Sequence, residues 1–294
     1  MSRRRHSAKA STSSQQKTAW LKRPTTKPRH SVRPRDPALL RELARRVERQ
    51  SRSRDWIRGV QSEIKTQLLQ TSRTIDQPNF TRVSPEDLER LIRLYDARFF
   101  DGQLLLAVEA EGITFDFSSR MTSIAGKMVT HYPSGSRDAA RQFELVLSST
   151  LLFQTFEADV RRPVVVTGRP CHDRLEAMQR VAEHELVHLA EMLIWNDGNC
   201  NEPRFQSIAR RYFDHTDYRH DLITQRERAA RKFNVRVGDH VRFDFKGHVL
   251  KGRVNRITRR ATILVPDPNG QRFSDGKHYL KYYIPLEHLR PDTN

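Results

Sequence analysis

The chain has 294 residues, 36% of them hydrophobic and 30% charged, with a formal net charge of +18. This is enough apolar material for one or two folded domains with tails. No apolar run nears the roughly 20 residues of a helical membrane span, which excludes that class. Two cysteines, Cys171 and Cys200, sit far apart without a CxxC pairing, which excludes a disulfide scaffold and fits a reducing compartment.

The charge is unevenly spread. Residues 1–82 carry a net +15, residues 83–233 a net −3 and residues 234–294 a net +6. Basic ends around a slightly acidic middle point to a polyanion met by the ends and a different task for the middle. The expected location is intracellular, in the cytoplasm or associated with a nucleoid or nucleus. The Arg- and Ser-rich start superficially resembles a mitochondrial transit peptide, but it lacks an apolar helical face.

Residues 1–35 hold 11 Lys/Arg and few core formers beyond Trp20 and Leu21, the composition of a disordered basic tail. From Asp36 to about Arg73, Leu40, Leu43, Val47, Ile57, Val60, Ile64 and Leu68 recur at helical spacing. This predicts one long or two shorter amphipathic helices docked on the next domain, an extension spanning residues 36–82. Ser84-Pro85-Glu86-Asp87 opens another helix with a cap, a proline and an acidic first turn, and Asp101-Gly102 ends it. Leu104–Ala107, Ile113–Phe117, Met121–Tyr132 and Phe143–Leu147 read as strands, punctuated by Gly126 and Pro133-Ser134-Gly135, in a small sheet expected to be antiparallel. A loop with Pro163 and Pro170 leads to helices over about Asp173–Ile194, Pro203–Phe213 and Leu222–Ala230. Period-two patterning over Val237–Phe245, Leu250–Ile257, Ala261–Val265 and Tyr279–Ile284 predicts a small closed β-barrel over residues 234–294.

The chemistry centres on His184-Glu185-Leu186-Val187-His188. Histidines at i and i+4 stand on one helix face and can reach one ion. The adjacent Glu185 can take a proton from a metal-activated water, the general base of a zinc peptidase. On a helical projection Leu175, Met178, Ala182, Leu186, Leu189 and Leu193 form an apolar face, with both histidines opposite it.

These residues and their surroundings resemble the SprT-like zinc metalloprotease family, to which the Spartan DNA–protein crosslink proteases belong. The resemblance covers about residues 84–222. It rests on the helix ending Leu94-Tyr95-Asp96-Ala97-Arg98-Phe99-Phe100-Asp101-Gly102-Gln103-Leu104, on Ala125-Gly126, on Glu144–Ser148 with Leu151-Leu152, on the HELVH segment and on Pro203-Arg204-Phe205. It implies an α+β zincin-like metallopeptidase core over residues 83–233. It also implies Zn²⁺ held by His184 and His188, Glu185 as the catalytic base, and protein substrates on or near nucleic acid.

The sequence departs from the family pattern in two places. Where many members place a third histidine, the chain reads Gly198-Asn199-Cys200-Asn201-Glu202-Pro203-Arg204-Phe205. Cys200 is the expected third ligand, since a thiolate binds zinc well; Glu191, Asn201 and His215 are the alternatives. Glu191 shares the histidine face but lies about 10 Å from His184 along the helix axis. No Cys-rich zinc ribbon comes after the core; the predicted barrel stands in its place, with Val237-Gly238-Asp239 and Gly252 weakly similar to Tudor- or KOW-like barrels. Its Arg242, Lys251, Arg253, Arg256, Arg259 and Arg260, with Lys246 and with Tyr279, Tyr282 and Tyr283 to stack on bases, form the expected nucleic-acid surface, for DNA more than RNA. The competing reading is a non-enzymatic, nucleic-acid-associated binding module with a structural or vestigial metal site.

Overall fold

Asp36 caps the first helix through its carboxylate, which accepts from the Ala38 and Leu39 N–H groups, and Pro37 pre-sets the first turn of α1 (Pro37–Arg49). The computed structural model describes residues 36–109, 111–132, 141–157 and 162–292; the basic tail and the Pro133-Ser134-Gly135 bend lie outside the described residues. Periodicity alone is compatible with one helix or two. The chain breaks into two because Gln50 is extended and Ser53 caps α2 (Arg54–Thr71). Arg211 holds the break by donating to the Val47 and Gln50 carbonyls at 2.8 and 2.6 Å. Leu43, Val47, Ile57, Val60, Ile64 and Leu68 are buried and share one core with the elements of the next domain.

Helix α3 (Pro85–Phe99) opens on a Ser84/Asp87 capping box. The predicted strand Leu104–Ala107 is instead a short helix, α4 (Gln103–Val108). Its start is set from outside: Asp101 and Gly102 take positive φ, and the buried Asp96 carboxylate accepts from the Leu104 and Leu105 N–H groups at 3.0 and 3.2 Å. A cap supplied by the preceding helix overrides the β-like look of an apolar run.

Strands β1 (Ile113–Ser118), β2 (Gly126–His131) and β3 (Gln142–Ser148) form a sheet in the order β1-β3-β2. The expectation of an antiparallel sheet is corrected for one half: β3 pairs antiparallel with β2 but parallel with β1. The chain therefore returns to β1 from the same end, and the central strand β3 is buried, as parallel pairing favours. Helix α5 (Ser149–Thr155) and a hairpin of β4 (Val164–Val166) and β5 (Arg169–Cys171) occupy the predicted loop region. Then come α6 (Arg174–Trp195), capped by Asp173, α7 (Pro203–Phe213) and α8 (Gln225–Phe233).

The C-terminal strands are β6 (His240–Phe245), β7 (His248–Ile257), β8 (Ala261–Arg272), β9 (His278–Ile284) and the two-residue β10 (Arg290–Pro291). The predicted closed barrel is corrected: the sheet is open, in the order β10-β6-β7-β8-β9, with no pairing between its first and last strands among the described residues. Closure needs β9 to bond the other edge of β10, the strand that already pairs with β6. β10 is only two residues long, half of it is a proline without an N–H, and the preceding turn points Leu286 and Leu289 into the core. Val241, Phe243, Val254, Ile257, Ala261, Ile263 and Ile284 fill that second core, closed off by Ala229 of α8. The fold is α+β, and no helix among the described residues is long and apolar enough to cross a membrane.

Candidate metal centre

Helix α6 carries the HELVH segment through the middle of the first core. Leu175, Met178, Ala182, Leu186, Leu189 and Leu193 are buried as the projection predicts, but so are Ala177, Val181, Val187 and Ala190 on the other sides. His184 and His188 are half-buried within this packing. Their Nε2 atoms lie 3.1 Å apart. The Phe205 ring closes one wall, its centroid 4.8 Å from the His184 ring and 4.5 Å from the His188 ring.

The third member arrives from the loop after α6. Asn196 adopts a left-handed conformation and turns the chain, and Gly198 passes close over the helix: a Cβ there would stand 3.3 Å from His188 Nδ1. Arg204, at the start of α7, donates to Glu191 at 2.7 Å and to Asp197 at 2.9 Å, and its guanidinium lies over the Trp195 ring. These ties fold residues 197–204 back onto α6, where the Cys200 Sγ and the two histidines offer ligand atoms all within 4.8 Å of one another.

The other candidates for a third ligand are engaged elsewhere. Glu191 is fully buried, with its charge answered by Arg204. Asn201 is exposed and bonded to Asn199. His215 lies against Glu183, Nε2 to Oε2 at 2.9 Å, in a buried network that also takes Arg180, Tyr95 and Gln61 to the Glu183 carboxylate. Sequence reasoning missed this network. Its signal was Arg180 and Glu183 one turn apart on a helix otherwise rich in apolar residues.

Glu185 is buried beside the histidines. Its Oε1 stands 2.6 Å from where a Cβ on Gly126 would be, so the glycine at the start of β2 makes room for this carboxyl. Its Oε2 has no hydrogen-bond partner among the described residues, and neither has the buried Nδ1 of His184. Burial pushes the Glu185 carboxyl up to about 8, opposed by a bond from the Met128 backbone. Burial holds the His188 imidazole down at about 4. Burial, with His188 beside it, holds His184 well below the usual range.

These atoms fit a divalent cation. Tetrahedral Zn²⁺ with bonds of about 2.0–2.3 Å sets its ligand atoms roughly 3.3–3.6 Å apart, within a rotamer adjustment of the observed spread. Two neutral imidazoles and one thiol are donors zinc accepts, and a nearby cation offsets the burial penalty on Glu185 and on a Cys200 thiolate.

The predicted nucleic-acid residues lie on the C-terminal sheet, and all are exposed. Arg242 stands opposite Lys251 across β6 and β7, and Arg253 opposite His240. Arg256 follows a bulge in β7, and Arg259 and Arg260 form the turn into β8. Arg290 of β10 stands opposite Arg242 and extends the row, a member not evident from sequence patterning. Of the three tyrosines expected to stack on bases, only Tyr283 is exposed, at 61%. Tyr279 is buried and bonds Asp275, while Tyr282 packs on Phe243 and Phe245. Compared with known proteins, the chain matches no family model, no curated protein and no solved structure.

Proposed function

We propose that the chain is a zinc-dependent peptidase of the SprT-like, zincin type that hydrolyses proteins associated with nucleic acid, DNA more than RNA. The observation that carries this reading is the convergence of His184, His188 and Cys200 beside a buried Glu185 whose Oε2 is free to work. Bound to those three residues, Zn²⁺ supplies a Lewis acid that makes water a competent nucleophile near neutral pH.

The chain's own residues do the rest. Glu185 Oε2 takes a proton from water as the water oxygen attacks the peptide carbonyl carbon, and the carbonyl electron pair moves onto its oxygen. When that tetrahedral adduct collapses, the C–N bond breaks with its pair going to nitrogen, and Glu185 returns the proton to the leaving amine. Burial raises the proton affinity of this carboxyl and a cation beside it lowers it, so the same group can take the proton and give it back. The basic strands β6 and β7, with the basic tail, concentrate the protein on a polyanion by phosphate contacts that need no base readout.

The test pairs metal analysis with mutation. Protein purified without chelator should carry about one zinc per chain, lost in His184→Ala. Glu185→Gln should keep the metal and lose peptide hydrolysis by roughly 10² or more. Metal-loaded wild type that hydrolyses no peptide would favour the binding-module reading.

A further inference from the structure

Of the three proposed ligands, only Cys200 is open to a mild two-electron oxidant. Imidazoles resist it, and Zn²⁺ has no redox chemistry of its own. The chain's two thiols differ in setting. Cys171 is buried and its Sγ donates to the Arg169 carbonyl at 3.7 Å. Burial pushes it up to about 12, which keeps it an unreactive thiol. Cys200 is half-buried between the exposed Asn199 and Asn201, within reach of a small solute.

The loop does not depend on that sulfur for its shape. The Asn199 side chain accepts from the Asn201 N–H at 3.1 Å, and its carbonyl accepts from the Glu202 N–H at 3.0 Å. Gln206 donates to the Cys200 carbonyl at 3.4 Å. Arg204 ties the segment to Glu191 and Asp197. A change at the Cys200 Sγ therefore alters the ligand set beside His184 and His188 while the loop stays on α6.

We infer that Cys200 is an oxidation site, at which a hydroperoxide turns the thiolate ligand into a sulfenic acid and releases the zinc. This rests on the metal site of the peptidase reading. A lone pair of the thiolate sulfur attacks one peroxide oxygen. The S–O bond forms as the O–O bond breaks, and the second oxygen leaves as hydroxide. Sulfur gives up two electrons and the peroxide takes them. The neutral sulfenic sulfur is a poor donor, and two imidazoles alone hold the ion weakly. A thiol reverses the step: it condenses with the sulfenic acid to a mixed disulfide and water, and a second thiol frees Cys200. A histidine in this place would leave the ligand set nothing to oxidise, so the property belongs to this chain's thiol.

The experiment treats zinc-loaded full-length protein with hydrogen peroxide. Released zinc is read with a chelating chromophore. The oxidised residue is read by mass spectrometry after trapping with a 1,3-diketone that captures sulfenic acids. Wild type should release about one zinc per chain and carry the adduct on Cys200. A parallel sample without the trap should take zinc up again after dithiothreitol. Cys171→Ser should behave like wild type. Cys200→His, which keeps a nitrogen donor, should hold its zinc through the same treatment. Where that variant fails to fold, the adduct position and Cys171→Ser decide the matter. Zinc retained by peroxide-treated wild type, oxidation confined to Met192 or Cys171, or equal release from Cys200→His overturns the inference. Wild type that holds zinc and hydrolyses peptide but keeps its metal under peroxide overturns this inference alone. Wild type without zinc overturns the metal reading with it.

Discussion

Replacing Gly126 by alanine should separate chemistry from metal binding. The added Cβ would stand 2.6 Å from Glu185 Oε1, 3.0 Å from Glu185 Cδ and 2.7 Å from Val181 Cγ1. Ordinary contact needs about 3.4 Å or more, so the carboxyl must retreat by nearly 1 Å. A misplacement of that size at the reacting group costs on the order of 10² in rate. Gly126 has no positive φ, so the alanine backbone is unstrained and the stability cost is that of overpacking, about 1–3 kcal/mol. The three atoms nearest this Cβ belong to Glu185 and Val181 and not to a proposed ligand, so zinc content should be unchanged. The assay is kcat on a small peptide, beside metal content and a denaturation curve. A variant with kcat within threefold of wild type would refute the claim that Gly126 sets the position of Glu185.

Cys200→Ala should weaken zinc binding by about a hundredfold or more, read by competition with a chelator; Glu191→Ala should have a smaller effect, because Glu191 acts only by holding Arg204 and the loop. Burial raises the Asp96 carboxyl to about 6 from an ordinary 3.8, so its charged form is the one the fold disfavours. Its contribution to stability is full below about pH 4 and is lost as pH rises through 6, an upper bound of about 3 kcal/mol. Asp96→Asn should therefore gain on wild type by about 2–3 kcal/mol between pH 4 and pH 8 in paired denaturant titrations, and a pH-independent difference would contradict this. Deleting residues 1–35 should weaken DNA binding and flatten its salt dependence, as should Arg242→Ala with Lys251→Ala and Arg253→Ala; each lost phosphate contact removes about 0.7–0.9 from the log–log slope. Hydrolysis of a small peptide should be nearly unchanged in the tail deletion.

What the sequence made legible was local. The HELVH spacing, the helix start at Asp36-Pro37 and the cap, proline and acidic first turn at Ser84–Asp87 each lie within one or two turns of the residues they order. What it hid depends on distant partners. Leu104–Ala107 looks like a strand until Asp96 is seen to cap it. The parallel pairing of β1 with β3 cannot be read from either strand alone. Opening of the C-terminal sheet depends on whether β9 meets the other edge of the two-residue β10. At the site, a thiol near the histidines could be named from its position, but the Arg204–Glu191 pair that brings it there joins residues 13 apart. Glu185 has the same character: its type and spacing were readable, while the room made by Gly126 was not.

The measurement that bears most directly on the central claim is zinc stoichiometry and peptide hydrolysis of wild type and Glu185→Gln, purified side by side without chelator. The account predicts about one zinc per chain in both proteins and hydrolysis only in wild type, lower by roughly 10² or more in the variant. Zinc absent from wild type, or equal hydrolysis by the two proteins, would contradict it.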